Sequence, residues 1–505
     1  MSVSTSSTTP AQRTPDISGK SPSKWLALVV ICVSQLLIVL DATIVNIALP
    51  TAQVDLHISD ADRQWMITAY TLAFGGLLLL GGRIADFTGR KRAFIIGLLG
   101  FAAASALGGL AQNAGTLFAA RALQGAFGAL MAPAALSLLT VTFTEAKDRA
   151  RAFGVYGAIS GGGGAIGLLL GGLLTEYASW RWTLLVSTPI AIIAALAATR
   201  FVAESRAEGN TRYDLPGALT STAGLVALVY GFTKAASDGW GSATTIGFLV
   251  AAGVLLVAFI VIELRTSHPL LPMRVILDRN RGGSYLSALL VGSGLFGVFL
   301  FLTYYLQLTL GYTALQTGVA FLPFTVGIIL GAGLSAQMLT RVGPRVLMFA
   351  GLLLAAAGMV LLTRIGVDTG FWSHVFPAEL IISFGMGVVF GPMSNTALVG
   401  VADHDAGVAS ALINTTQQIG GSLGTALLNT IFTSAVAGYI VDHQASITDK
   451  AQLPALQGAA TVHGYTVAFW VSAAVIGAAA LIAVVLVKAN RETVANSGDI
   501  THVAV

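Results

Sequence analysis

Three charged residues lie inside long apolar segments of the chain: Asp41, Arg121 and Glu379. An unpaired charge at the centre of a bilayer costs about 2.5–3.5 kcal/mol on insertion scales, so each needs a partner or water. A carboxylate beside a guanidinium, with access to water, can bind and release a proton. Asp41 and Arg121 are therefore candidates for moving protons.

The depths of Asp41 and Arg121 match. Asp41 lies about six residues, or ~9 Å, from the outer end of its predicted helix, and Arg121 lies about as far below the outer end of its own. This predicts that the two side chains can meet. Two interpretations stay open: a structural ion pair, and a carboxylate whose protonation Arg121 controls.

Other polar residues in the apolar segments are weaker candidates. Glu379 is predicted near the outer interface, where snorkelling or hydration could satisfy it, so a structural role is favoured. The residues that could line a polar or aromatic cavity are Gln124, Tyr304, Gln307, Glu379, Asn414 and Gln418.

The elements that must position these residues are transmembrane helices. Of 505 residues, 55% are hydrophobic and 10% charged, with a mean hydropathy of +0.80, whereas soluble domains carry about 25% charged residues. Apolar stretches of about 20 residues cross the ~30 Å hydrocarbon core. The chain has fourteen, at about 25–47, 63–81, 93–112, 115–140, 150–174, 182–200, 214–234, 243–263, 283–306, 316–338, 345–365, 374–400, 406–437 and 464–488.

The basic residues test this count. With both termini in the cytoplasm, 21 Lys and Arg residues fall on the cytoplasmic side, and Arg121 remains inside a helix. The other five fall on the outside: Arg63, Arg181, Lys234, Arg364 and Lys450. Cytoplasmic loops of membrane proteins carry such an excess. We expect a multi-pass protein of the cytoplasmic membrane with both termini inside.

The spans group into two halves. The predicted order is a cytoplasmic tail (1–24), a six-helix bundle (25–200), an inserted hairpin (201–264), a cytoplasmic connector (265–282), a second six-helix bundle (283–488) and a tail (489–505). The fold class is all-α integral membrane, with two pseudo-symmetric bundles and an inserted hairpin.

Composition argues against an enzyme or a metal protein. The single cysteine, Cys32, excludes internal disulfides, and the seven histidines form no H-x-x-x-H pattern. No extramembrane segment is long enough for a separate domain. We expect no cofactor other than protons as the coupling ion, no nucleic-acid partner, and function as a monomer in the lipid bilayer.

A charge-dense turn separates the second and third spans. It contains Gly82, Asp86, Gly89, Arg90 and Lys91. Its brevity forces the flanking helices to lie antiparallel, and its glycines supply small or positive-φ positions. The turn from Gly333 to Arg345 is a weaker second copy without the aspartate, as expected for a repeat.

The fifth span is rich in glycine. Small residues three or four apart form a groove that admits a neighbouring helix. The array is a plausible sliding or sealing surface between the halves, and its main members are Gly154, Gly163, Gly167, Gly171 and Gly172.

Together these motifs resemble the major facilitator superfamily, in particular its fourteen-span drug:proton antiporters. The turn at Gly82 to Lys91 is similar to the family signature between helices two and three. The stretch around Asp41 resembles the first-helix motif, and Arg121 with Gln124 resembles the fourth-helix motif. The fifth-span glycines resemble the antiporter motif, except that Leu168 stands where the family usually has proline.

The resemblance implies export of lipophilic drugs or antibiotics by alternating access, driven by inward proton flow. Asp41 would then be the leading candidate for carrying the proton, with Arg121 modulating it and Glu379 as the alternative carrier. The turn at Gly82 to Lys91 would be a cytoplasmic gate. The alternative is a facilitator or importer of a small metabolite on the same fold. Drug sites bind through apolar area with few polar contacts, so the sequence does not identify the substrate.

Overall fold

The computed structural model describes residues 24–206, 214–267, 269–271, 273–401, 406–444 and 450–489. Within these residues, fourteen helical segments are long and apolar enough to cross a membrane. This confirms the predicted all-α membrane fold with fourteen spans.

The first bundle contains six spans, and the inserted hairpin follows it. The helices of the bundle are α1 (Lys24–Asp55), α2 (Trp65–Thr88), α3 (Arg90–Gly109), α4 (Ala114–Thr142), α5 (Ala146–Tyr177), α6 (Trp182–Leu185) and α7 (Ser187–Phe201). The sixth span is made of two consecutive helices, α6 and α7. The hairpin helices are α8 (Leu215–Asp238) and α9 (Ala243–Arg265).

The second bundle begins after a short helix in the connector. Two of its spans include a π-helical turn, at Tyr305–Thr309 and Phe371–Val375. The connector helix is α10 (Met273–Ile276). The helices of the second bundle are α11 (Arg279–Tyr304), α12 (Ala314–Ala320), α13 (Leu322–Val342), α14 (Pro344–Leu362), α15 (Phe376–Leu398), α16 (Ala406–Gln444) and α17 (Leu453–Leu486).

Several helices extend beyond the apolar stretches that predicted them. Helix α1 continues through Pro50 to Asp55, beyond the apolar stretch that ends at about residue 47, and α17 begins at Leu453, before the stretch that begins at about residue 464. Hydropathy finds the part of a helix that fits the hydrocarbon core, whereas the helix itself can project past it. Proline is tolerated in transmembrane helices because neighbours satisfy the freed backbone groups.

Successive spans alternate in direction, which defines two ends of the molecule. The basic end holds the α2–α3 turn at Gly89, and the far end holds the α1–α2 connection at residues 56–64. One cluster of buried apolar residues lies wholly in the first bundle. A larger cluster joins α1, from Leu40 onward, to the second bundle. The two bundles therefore share a core in the half of the molecule towards the far end.

The inserted hairpin covers the junction between the bundles. Leu225 and Val229 of α8 are buried together with Leu72 of α2 and Ala426 of α16. The Thr233 hydroxyl of α8 accepts a 2.7 Å hydrogen bond from the Gln64 side chain. The hairpin is thus attached to both bundles, while much of α9 is exposed on its outer side.

Candidate coupling site and gates

Asp41 and Arg121 meet in the interior of the first bundle. Arg121 Nη1 donates a hydrogen bond of 2.6 Å to Asp41 Oδ2, and Gln124 Nε2 donates one of 2.8 Å to Asp41 Oδ1. Asp41 is 0% exposed and Arg121 2%. The structure therefore brings together the two residues whose depths matched in the sequence, and it adds Gln124 to them.

The network continues beyond this pair. Arg121 Nη1 also contacts Gln124 Oε1 at 2.8 Å, and Arg121 Nε donates to the Met66 carbonyl at 2.9 Å. Gln124 Nε2 donates to Ser105 Oγ at 2.8 Å, and the Arg121 guanidinium lies 4.6 Å from the centre of the Tyr70 ring. Four helices, α1 to α4, converge on one buried carboxylate. Removal of one charge of such a pair typically costs about 3–5 kcal/mol, because the other is left buried and unpaired.

Glycines of α4 bring the network together. A Cβ added at Gly125 would collide with the Tyr70 carbonyl of α2, and one added at Gly128 would lie 3.1 Å from the Phe74 ring. Close approach of two helix backbones requires small residues at the contact. The spacing of Arg121, Gln124, Gly125 and Gly128 thus packs α4 against α2 and directs its polar side chains towards Asp41.

The predicted cavity residues fall into different environments. Gln124 belongs to the network around Asp41. The Tyr304 hydroxyl donates to Gln53 Oε1, and Gln307 Nε2 donates to the Ile47 carbonyl at 2.9 Å. Tyr304 and Gln307 therefore join the second bundle to α1 near the far end.

The remaining three lie in the second bundle. Gln418 is half-buried against α2, its Cβ 2.9 Å from the place of an added Cβ at Gly75, and Asn414 is exposed on α16. Glu379 was expected near the outer interface, where water could hydrate it, yet it is only 1% exposed. Neither of its carboxylate oxygens has a hydrogen-bond partner among the described residues. Its span begins at Phe371 rather than at about residue 374, so Glu379 lies eight residues from the start of the span rather than about five.

The α2–α3 turn is held within the first bundle. Gly89 has φ +115°, a conformation that strains any other L-residue. Arg90 Nε donates to Asp86 Oδ1 at 2.8 Å, Lys91 Nζ donates to the Thr199 carbonyl at 2.8 Å, and Gly82 faces Pro133 of α4.

Sequence reasoning missed Glu204 beside this turn. Its Oε1 accepts a 3.1 Å hydrogen bond from the Lys91 backbone, and its Oε2 lies 3.8 Å from Arg92 Nε. A carboxylate directly after the sixth span, at the same end as a basic turn, was the available signal. The turn is thus fastened to the end of α7 in its own bundle.

Most of the predicted α5 glycines contact α1. Added Cβ atoms would lie 3.2 Å from Val39 at Gly163 and 2.7 Å from the Ile44 carbonyl at Gly171, and one at Gly167 would collide with Thr43. Helix α5 runs continuously through Leu168, where the family proline is missing. Glycine spacing therefore makes α5 lie directly against the helix that carries Asp41.

The opposite face of α5 differs between the two ends. A Cβ added at Gly172 would lie 2.7 Å from Leu315 Cα of α12, whereas one at Gly154 would have no atom of the described residues within 4 Å. These glycines are eighteen residues apart, five helical turns, so they share a face about 27 Å apart along the axis. The face that touches the second bundle near the far end is open near the basic end.

Further contacts close the far end. The Leu315 amide donates to Glu176 Oε2 at 2.9 Å, and an added Cβ at Gly318 would lie 2.5 Å from the Leu168 carbonyl. Arg63, counted in the sequence as a simple outer-loop residue, is buried and donates to Asn429 of α16 at 3.1 Å. Its position directly before the second span gave no signal of this.

Known proteins match this chain along most of its length. It is 51% identical over 500 residues to a puromycin resistance protein from Streptomyces alboniger, covering 96% of this chain and 98% of the relative. It is 40% identical over 423 residues to a cephamycin export protein from Amycolatopsis lactamdurans, covering 83% and 87%.

A solved structure supports the fold. The crystal structure of a bacterial homologue of the human lysosomal transporter Spinster, in an inward-facing and unoccupied conformation, has a TM-score of 0.63 at 17% identity and covers 95% of this chain and 99% of that one. The family model described as Major Facilitator Superfamily matches residues 31–425. The chain, a membrane-spanning protein with a buried Asp41–Arg121 pair and bundles joined at one end, belongs to the major facilitator superfamily.

Proposed function

We propose that this chain is a proton-coupled antiporter that exports lipophilic antibiotics or drugs across the cytoplasmic membrane by alternating access. Two relatives that match most of this chain are named as an antibiotic resistance protein and an antibiotic export protein. The observation that carries the coupling mechanism is the buried Asp41–Arg121–Gln124 network. The proposal also requires two states, one open at each end, and the contrast along α5 supports one of them.

The basic end faces the cytoplasm in this proposal. The turn with Arg90, Lys91 and Arg92 lies at this end, and short loops rich in Lys and Arg remain on the cytoplasmic side. The structure then corresponds to a state that admits substrate from the cytoplasm. The far end, where the bundles touch, is the exit.

Helix α1 links the proton site to the exit. Asp41 lies six residues from Ile47, whose carbonyl accepts from Gln307 of the second bundle, a distance of about 9 Å along the helix. A proton on Asp41 removes its charge from Arg121 and leaves fewer acceptors for Gln124. The contacts that hold α1 against α4 then weaken. Because the same helix carries the exit contacts, a proton on Asp41 can favour one arrangement of the bundles over the other.

The available energy fits a modest export task. One proton moving through ~100 mV provides about 2.3 kcal/mol. That is enough for a roughly fifty-fold substrate gradient. We propose that the protein uses no cofactor other than the coupling proton and that it works as a monomer in the lipid bilayer. The substrate is a lipophilic molecule of drug size, bound mainly through apolar area.

The test uses everted membrane vesicles with an acidic interior. Wild-type protein should take up its antibiotic against a gradient, and a protonophore should abolish this. Asp41→Asn should reduce pH-driven uptake at least tenfold to background, because the amide cannot exchange a proton. The antibiotic is first identified with a susceptibility and efflux panel of dyes, quaternary ammonium compounds and antibiotics.

The matched control is Asp238→Asn, which changes an aspartate at the end of α8 that pairs with Lys234 on the surface. It should transport like wild type. Full pH-driven uptake by a folded Asp41→Asn protein would remove Asp41 from the coupling mechanism. Substrate movement in the opposite direction, with the proton instead of against it, would identify an importer.

A further inference from the structure

We propose that an aromatic cage in the second bundle is a binding site for an organic cation, and that Arg63 of the first bundle occupies it in this state. The aromatic cage consists of Phe301, Tyr304, Phe432 and Tyr465, contributed by α11, α16 and α17. All four side chains are buried. Arg63 reaches them from the turn before α2.

The cage holds a cation in the structure already. The Arg63 guanidinium carbon lies 4.3 Å from the centre of the Tyr304 ring, 4.6 Å from that of Phe432 and 5.9 Å from that of Phe301. A cation within about 6 Å of a ring centre is attracted by the ring quadrupole, and more strongly where water is excluded. Three rings therefore contact the guanidinium of Arg63, a residue that is only 2% exposed.

The rings form a continuous surface. Phe432 stacks on Phe301 at 5.3 Å and on Tyr465 at 5.1 Å between ring centres. The Tyr465 hydroxyl is buried and has no hydrogen-bond partner in the described residues. It remains available to accept a hydrogen bond from an N–H group. The cage therefore offers aromatic faces together with an unused acceptor.

The charges around Arg63 show what remains when it leaves. Its acidic partner, Asp60, lies 3.6 Å away on the same turn of the first bundle and is largely exposed. The second bundle contributes Asn429, whose Oδ1 accepts from Arg63 Nε at 3.1 Å. Arg63 Nη2 has no hydrogen-bond partner among the described residues. When Arg63 withdraws with Asp60, the cage keeps its rings and the Asn429 amide.

These groups select a particular ligand chemistry. Aromatic faces with neutral oxygen acceptors bind guanidinium or ammonium groups that carry apolar substituents. They do not supply the carboxylates that a divalent metal ion prefers. The predicted ligand is a monovalent organic cation.

The place of the cage gives this site a role in export, and that step rests on the proposed function. Opening of the far end must separate Arg63, on the first bundle, from the cage on the second. The cage then faces the exit and can hold a cationic substrate or inhibitor. Return of Arg63 displaces it, so the arginine competes with the ligand for the same surface.

The test measures binding directly, without a gradient or a transported substrate. Purified full-length protein in lipid nanodiscs is titrated by calorimetry with 1-butylguanidinium, which carries the same cation as the Arg63 side chain. Arg63→Ala should bind it at least tenfold more tightly than wild type. Butylurea, which has a similar shape and no charge, should bind neither protein measurably.

A second substitution locates the site. Phe432→Leu in the Arg63→Ala protein should weaken 1-butylguanidinium binding at least fivefold. Equal affinity of wild type and Arg63→Ala, or equal binding of butylurea, would overturn the proposal. If Arg63→Ala does not give monodisperse protein, Arg63→Gln is titrated with the same expectation, because a shorter neutral side chain also vacates the rings.

The two proposals can fail separately. Binding that behaves as expected in a protein without antibiotic export leaves the cation site in place and counts against the proposed function. Antibiotic export by a protein that does not bind 1-butylguanidinium as expected supports the proposed function and counts against the cation site.

Discussion

The two ends of α5 present the same helix face to different surroundings. At Gly172 the face lies directly against the backbone of α12, and at Gly154 no atom in the described part of the chain lies within 4 Å of an added Cβ. Both positions are glycine, so residue type does not distinguish them. The difference lies in the partner: among the described residues, one is present at the far end and none at the basic end.

This contrast explains why smooth helix faces are needed at both ends. A surface that closes in one state and opens in the other must fit closely whenever the bundles meet. A small residue that appears unnecessary in one conformation can therefore be required in the other. Under alternating access, Gly154 should occupy in the second state a contact like that of Gly172 here.

The largest expected effect comes from filling the contact that is closed in the structure. In Gly172→Leu the added Cβ would lie 2.7 Å from Leu315 Cα and 2.8 Å from the Ala314 carbonyl, both backbone atoms that cannot move alone. Export should fall at least tenfold, because the far end can no longer close. A cysteine introduced by Ala48→Cys, at a position that is 2% exposed, should react faster with an impermeant maleimide.

Gly438→Leu provides the matched control. Gly438 is a helical glycine of α16 on the far-end side, and an added Cβ there meets no atom of the described residues within 4 Å. It should leave export and Ala48→Cys labelling unchanged. Slow labelling in a folded Gly172→Leu protein would show that the α5–α12 contact does not control closure.

The second prediction is a smaller loss of export, accompanied by slower rather than faster Ala48→Cys labelling at the far end. Gly154→Leu has room in the present state, and leucine favours a helix over glycine by up to about 1 kcal/mol. The substitution should keep the bundles in this state, because it obstructs closure of the basic end. We expect export to fall several-fold and Ala48→Cys labelling to slow.

Gly253→Leu, on the exposed helix α9, controls for a leucine added at an open helical glycine. It should behave like wild type in both measurements. Wild-type export by Gly154→Leu would mean that this face never meets the second bundle, and the comparison between the two ends of α5 would not describe the transport cycle.

Sequence patterns predicted the features that depend on one helix or on adjacent helices. Fourteen apolar stretches gave the fourteen spans, and the matching depths of Asp41 and Arg121 anticipated their contact. The α2–α3 turn was recognisable because Gly89, Asp86 and Arg90 are close in the chain. In each case the residues that carry the sequence signal are either close together in the chain or at the same depth in the bilayer, so they also lie close together in the structure.

Contacts between the two bundles were not predictable in this way. Arg63 and Phe432 are 369 positions apart in the sequence, and neither has a pattern that points to the other. Basic residues at the ends of spans indicate topology, so Arg63 was counted as an outer charge although it is buried. The burial of Glu379 accompanies close helix packing: its neighbours Ala378 and Ile382 lie against Gly358 of α14, a contact that hydropathy does not detect.

The last prediction concerns the stability of the turn at the basic end, where we expect the smallest effect on export. Gly89→Ala should destabilise the protein, because alanine at φ +115° is strained and its Cβ would lie 2.8 Å from Glu204 Oε1. Strain of this kind costs of order 1–3 kcal/mol. Gly343→Ala, in the second copy of the turn at φ +83°, introduces the same kind of backbone strain. Thermal unfolding in detergent should therefore show a lower midpoint for both, and a larger shift for Gly89→Ala.

The double variant Gly89→Ala with Glu204→Ala separates the two causes. Removal of the Glu204 side chain relieves the collision and leaves the strain, so the double variant should be destabilised less than the sum of the two single variants. Because Glu204 and the turn belong to the same bundle, Ala48→Cys labelling at the far end should not change in any of these proteins. A change in labelling comparable to that of Gly172→Leu would show that the turn acts on closure of the far end, and that the two ends are coupled through more than the face of α5.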